Sequence, residues 1–149
     1  MVHDTRSAAL VEGARSTGHA LAPGGSSWGA MPTNLVMTGG GARDQAELCA
    51  PIERGVYVTR LWYTNAVRPN ETLITGVTRD GTFLIEDGEI AAPLDDLRLT
   101  DSVLRVLERT EALTRDHILW SEGEFYGRRY ANGTVAPAIR STLGFSGGA

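Results

Sequence analysis

The chain contains no lysine, a single cysteine and three histidines, and it has no apolar run long enough to span a bilayer. Each shortage excludes something. One cysteine, Cys49, rules out an internal disulfide and any multi-cysteine zinc site. None of His3, His19 and His117 is followed by a second histidine four residues on, so no helix presents a two-histidine metal face. A membrane-spanning helix needs about 20 apolar residues, and the N-terminus lacks the apolar core of a signal peptide. These features predict a soluble, cytoplasmic protein. All 14 basic residues are arginine and are outnumbered by 18 acidic ones, giving a net charge of −4. That balance argues against a nucleic-acid module, which needs a basic face. Arg128-Arg129 alone is too small for a phosphate track.

What is present fits one globular domain. With 42% hydrophobic and 21% charged residues over 149 positions, the chain can bury a core. No internal repeat is found. Glycine, proline and serine crowd the first fifth, so residues 1–32 are expected to form an irregular arm with a short helix at residues 7–14. Residues 33–149 are expected to form the single domain. Residues 33–38 suit a short strand ending at Gly39-Gly40-Gly41, a turn whose backbone would need positive φ. Residues 44–53 have helical composition, cut short by Pro51. Residues 55–63 (GVYVTRLWY) form the best strand, β-branched and aromatic throughout. Val56, Val58 and Arg60 share one face of it. Asp80-Gly81 between residues 72–79 and 82–85 predicts a hairpin, and Asp87-Gly88 a second turn. Thr100-Asp101-Ser102 opens a helix with Val103, Leu104, Val106 and Leu107 in one stripe, continued by Leu113. Strand-like runs at residues 117–120 and 134–143 follow, and Pro137 suggests an edge or a bulge in the second. The fold class is α+β: mostly antiparallel sheet, sandwich- or barrel-like, with one or two short helices packed on it.

The residues alone name no catalytic set. His117, beside Asp116, is either a surface or partly buried polar group, or a metal ligand or general base. Cys49 lies on the apolar side of its helix and reads as core. Gly39-Gly40-Gly41 lacks both the P-loop lysine and the GxGxxG spacing. Glu122 and Glu124 alternate as any solvated strand would, and Trp28, Trp62 and Trp120 read as packing residues. Arg60 stands out on an apolar face, and it needs either an intramolecular carboxylate or a cleft.

The segments PTNLVMTGG, DQAELCAPIERGVYVTRL and TGVTRDGTFLIEDGEIAAPLDDLRLTDSVLRVL resemble the C-terminal domain of the TldD/PmbA (TldD/TldE) family. The matching residues are Asn34, Gly39, Arg54 to Val58, Thr75-Gly76, Gly81, Ile85 to Ile90, Pro93 and the helix near Asp101. The resemblance runs over roughly residues 4 to 140. It implies a metallopeptidase that degrades or matures small peptides, often as a heteromer of a zinc-bearing and a zinc-free subunit. The zinc subunit of that family carries His-Glu-x-x-x-His and a late cysteine. This sequence has neither, so no metal and no catalytic residue are expected in it, and zinc enters only through a partner subunit. The expected role is a peptide-binding or partner-completing subunit in peptide maturation or proteolysis. The alternative is a stand-alone enzyme of natural-product or small-molecule metabolism whose chemistry has diverged, and whether the chain is an enzyme by itself stays open. Expected partners are a second copy of the chain or a zinc-bearing TldD-like subunit, with a peptide as substrate and neither nucleic acid nor membrane. Strand addition at an edge of the sheet built from residues 55–63 and 72–85 is the expected docking mode. Asn34, Gly39, Gly40, Gly41, Arg60 and His117 are the candidate substrate-binding residues.

Overall fold

The computed structural model describes residues 2–20, 29–121, 124–125, 128–129 and 132–146. Strands dominate it. The chain divides into two compact units, Met1–Met37 with Leu119–Ala136, and Thr38–Ile118 with Pro137–Ala149.

The first unit opens with α1 (Thr5–Ala8), which starts earlier and is shorter than the sequence suggests. Asp4 sets the start. Its carboxylate accepts the Ser7 N–H at 2.6 Å, while Ser7 Oγ accepts the Asp4 N–H at 3.0 Å. The helix does not extend because Leu10 and Val11 beyond it are exposed and have nothing to pack against. Strand β1 (Asn34–Val36) pairs in parallel with the start of β9 (Gly133–Ser141), with Asn34 opposite Gly133. Between them in the chain, β7 (Glu124–Phe125) pairs with β8 (Arg128–Arg129).

The second unit holds α2 (Gln45–Cys49), capped by Asp44, whose side chain accepts the Glu47 N–H at 2.9 Å. Then come β2 (Arg54–Arg68) and β3 (Leu73–Glu86), joined by a short 3₁₀ turn at Pro69–Glu71. β4 (Glu89–Pro93) pairs with β3, and β5 (Arg98–Ser102) and β10 (Phe145–Ser146) complete a sheet ordered β10-β5-β3-β2. α3 (Val103–Glu108) and β6 (Thr110–Trp120) follow β5, and β6 runs beside β9 in the other sheet. No closed barrel forms among the described strands. The α+β class, antiparallel-dominated with short helices, is the one observed.

Three expectations are corrected. Asp80-Gly81 makes no hairpin: β3 runs straight through it. Asp80 and Gly81 have φ of 64° and 137°, and together they oppose Thr59 alone, because Val58 pairs with Thr82 and Arg60 with Arg79. This is a β-bulge. The Thr59 hydroxyl reaches the carbonyls of Arg79 at 2.9 Å and Gly81 at 3.0 Å, which lets the strand continue where the dipeptide alone would reverse it. Asp87-Gly88, by contrast, does reverse the chain, with φ of 50° and 85° and Glu86 opposite Glu89.

The helix after residue 102 ends at Glu108, and Leu113 lies in β6 rather than on a helical stripe. Its cap is Ser102, whose side chain accepts the Arg105 N–H. Its side chains are not packed down: Val103, Leu104 and Leu107 are all exposed. Thr110 to Thr114 go to the β6 ladder instead, where burial of Thr114 offsets the weak local preference.

The core is small and partly polar. Leu48, Cys49, Ile85 and Leu99 are buried in the second unit, alongside Thr78, Thr82, Asp101, Ser102 and Thr114. These polar groups are satisfied. Thr82 Oγ1 donates to Thr78 Oγ1 at 2.7 Å, Thr78 Oγ1 accepts the Leu97 N–H at 2.9 Å, and Thr114 Oγ1 accepts the Ala138 N–H at 2.9 Å.

Candidate functional site

Within the second unit the glycine run lies against β6. Gly40 N–H donates to Thr114 O at 2.9 Å, Ala42 N–H to Leu113 O at 3.2 Å, and Arg115 N–H to Ala42 O at 2.7 Å. The segment thus runs alongside β6, with an isolated parallel bridge between Ala42 and Thr114. Neither Gly39 nor Gly40 has positive φ, contrary to the expectation from sequence. Their glycine requirement comes from proximity. A Cβ on Gly39 would stand 2.7 Å from Thr114 O, and one on Gly40 2.7 Å from Leu113 O. The same imaginary Cβ on Gly39 lies 3.0 Å from His117 Cε1, so the imidazole stands beside this glycine. Gly41 has open space where its side chain would be.

A groove of about 520 Å³ lies along this run, lined by Gly40, Gly41, Thr110, Glu111, Leu113 and Arg140. Arg140 is its most constrained polar group. Its Nε donates to Glu111 Oε2 at 3.1 Å and its Nη1 to the carbonyl of Leu48 at 3.1 Å, at the end of α2. Glu47, on the same rim, accepts the Arg43 backbone N–H at 2.9 Å and Arg43 Nε at 3.1 Å. Those two bonds hold its carboxyl below the ordinary value. The groove therefore offers a backbone floor with paired charges at its edge.

Gly39, Gly40 and His117 meet, and Gly41 lines the groove beside them. Asn34 belongs to the first unit, exposed on β1, with its Nδ2 donating to Thr33 Oγ1 at 3.2 Å. Arg60 lies on β2 of the other sheet, where Arg60 Nη2 is 2.7 Å from Asp80 Oδ2 and the guanidinium lies 4.9 Å from the Trp62 ring centre. Of the two arrangements open to Arg60, the intramolecular ion pair is the one found. Arg140 and Glu111 went unremarked in the sequence. Arg140 carries a signal like the one that marked Arg60, a lone charge in an otherwise uncharged run (residues 134–143).

Among the described residues no three His, Cys, Asp or Glu side chains converge. His3 and His19 lie in the first unit and His117 in the second. Cys49 is buried, and burial pushes its thiol up, away from the thiolate a metal requires. No helix among the described residues is long and apolar enough to cross a membrane.

The long β2–β3 ribbon and the short capped helices define an α+β fold. The chain belongs to the PmbA/TldA metallopeptidase C-terminal domain family, which it matches over residues 1–146. Among solved structures it is similar to TldE from Thermococcus kodakarensis, at 20% identity with a TM-score of 0.67, over 91% of this chain and 28% of that one. It is also similar to a Thermotoga maritima protein described as a candidate modulator of a DNA gyrase, at 20% identity and TM-score 0.68, over 98% of this chain and 30% of that one. A Bacteroides thetaiotaomicron protein with a like description matches at 18% identity and TM-score 0.54, over 72% and 22%. The chain thus spans under a third of each of these relatives. No curated protein sequence matches it.

Proposed function

We propose that this domain binds peptides and completes the site of a catalytic partner in peptide maturation or proteolysis, in the cytoplasm. The observation that carries this is the groove on the second unit, whose floor is the Gly40-Gly41 backbone. A floor without side chains admits another backbone closely, which is what binding of an extended peptide needs. Family membership points to the same class of chemistry, and the described residues supply no zinc donor set. The hydrolytic centre in this reading comes from a zinc-bearing TldD-like subunit. A second copy of the chain is the other partner, its association driven by exposed apolar residues such as Leu104 and Leu107.

The test is reconstitution with a zinc-bearing TldD-like subunit and a fluorogenic peptide. The chain alone should be inert and the mixture active. Gly41→Leu fills the groove without a clash, because nothing lies within 4 Å of its Cβ position. It should cut the mixture's activity at least tenfold. Equal cleavage by the chain alone, or a fully active Gly41→Leu mixture, would reject the reading.

A further inference from the structure

Two arginines oppose each other across the β2–β3 ribbon: Arg60 is in register with Arg79. Like charges directly opposite on a sheet destabilise it. Asp80 answers the charge of Arg60 at 2.7 Å. Arg79 is exposed and, among the described residues, has no carboxylate within ion-pair distance; its guanidinium lies 5.9 Å from the Trp62 ring centre. One strand further, Arg98 is in register with Val77, which is itself opposite Trp62. Register partners share a face, so Arg60, Trp62, Arg79 and Arg98 all point to the same side of the sheet. Arg98 is exposed too, and again no described carboxylate pairs with it. A chain with net charge −4 thus gathers three arginines and a 44%-exposed tryptophan on one patch, with a single aspartate paired there.

Such a patch is costly in isolation and is relieved by an anionic occupant. We propose that this face of the five-stranded sheet binds an extended acidic polypeptide segment with carboxylates at alternate positions. Arg79 and Arg98 would each take one carboxylate, and a side chain of the segment would lie on Trp62. Spacing supports the alternate pattern. Arg79 and Arg98 are diagonal neighbours on adjacent strands, a relationship that puts side chains about 7–8 Å apart. Residues i and i+2 of an extended chain are separated by about 7 Å. Guanidinium groups bind carboxylates through two parallel N–H bonds, and stacking on the indole orients the fork beforehand. This site lies on a different sheet from the Gly40-Gly41 groove and goes beyond the role proposed for that groove.

The experiment is fluorescence anisotropy with a fluorescein-labelled Glu-Ser-Glu-Ser-Glu-Ser peptide and the chain alone, at low salt. Saturable binding is expected. Arg79→Gln and Arg98→Gln should each weaken it about tenfold, the loss of one charge-assisted pair. Arg79→Lys should weaken it as well, since it keeps the charge and loses the fork. Arg68→Gln, at the far end of β2, should not change it. Arg79→Gln should melt no lower than the parent, because it removes a like charge opposite Arg60. Gly41→Leu should bind the peptide normally, so failure of the groove reading and failure of this one are separable. Absence of saturable binding, unchanged binding by a folded Arg79→Gln/Arg98→Gln double variant, or equal or tighter binding of a six-residue oligothymidylate would overturn the proposal.

Discussion

Asp101 Oδ2 accepts the backbone N–H of Gly144 at 3.1 Å, a bond spanning 43 residues that ties the end of β5 to the start of β10. The same carboxylate accepts the Ser102 N–H at 2.7 Å and faces Arg105 and Arg109, each at 3.5 Å. Burial by itself would raise the Asp101 carboxyl. The Ser102 and Gly144 N–H groups, with Arg109 and Arg105 behind them, outweigh it and hold the group below the ordinary aspartate value.

From this follows a signed pH effect. A carboxyl lowered in the folded state contributes stability above its unfolded value, near pH 4, and loses that contribution as pH falls through the lower folded value. Asp101→Asn should cost about 2 kcal/mol at pH 7, the range for hydrogen bonds to a charged group. The gap between parent and variant should narrow on acidification below about pH 4. Urea titrations across pH 3 to 7 check this, and a gap that widens toward low pH contradicts it.

The bulge at Asp80-Gly81 gives a second expectation. Gly81 holds φ of 137°, and a Cβ there would sit 2.8 Å from the Phe83 ring, so Gly81→Ala should cost about 2 kcal/mol. Thr59→Val removes the hydroxyl that bonds the Arg79 and Gly81 carbonyls and should cost about 1 kcal/mol. A two-residue hairpin at this point would make no demand on Thr59, so a silent Thr59→Val in chemical denaturation would contradict the bulge.

The comparison of the two Asp-Gly pairs shows where sequence reading stops. Both carry positive φ, and local chemistry calls for a turn at each. Only Asp87-Gly88 lets its strand fold back, because residues 89–93 are long enough to pair with β3. At Asp80-Gly81 the continuous partner β2, fifteen residues long, outcompetes the local turn. Length and partner are properties of the sheet, and a dipeptide does not carry them. The strong strand at residues 55–63 was legible for the opposite reason, since Val56, Tyr57, Val58, Thr59, Trp62 and Tyr63 all prefer the pleated surface. Of the site, the glycines and His117 were legible as residue types, but their meeting beside β6 was not. The Arg60–Arg79 opposition depends wholly on register. α3 failed as a packed helix because an apolar stripe says what wants burial and not whether a surface exists to bury it.

Gly40 and Gly41 are adjacent and identical yet should behave oppositely. In Gly40→Ala the new Cβ meets Leu113 O at 2.7 Å and Leu113 Cβ at 2.9 Å, and both must give way. A cost of about 1–3 kcal/mol is expected from such overpacking. Gly41→Ala meets nothing and has no positive φ, so the reduced freedom of the unfolded chain should leave it neutral or stabilised by about 0.5 kcal/mol. Paired melts settle the comparison, and equal midpoints would mean that the glycine run does not press on β6.

Cys49 supplies the last expectation, which bears on metal chemistry. Its residue is 6% exposed and burial pushes the thiol up, so at neutral pH it is an inert, protonated core group. Labelling by a disulfide reagent at pH 7.5 should therefore be at least about a hundredfold slower in the native protein than in urea, because reaction needs an opening event. The same burial withdraws the only thiol of the chain. Zinc requires four ligands, with thiols deprotonated before they bind. After dialysis the isolated chain should hold well under one zinc per molecule. Adding zinc should neither slow Cys49 labelling nor raise the melting temperature. One tightly held zinc per chain, lost in His117→Ala and protecting Cys49 from the reagent, would contradict this. Such a result would reject the proposal that the hydrolytic centre comes from a partner subunit.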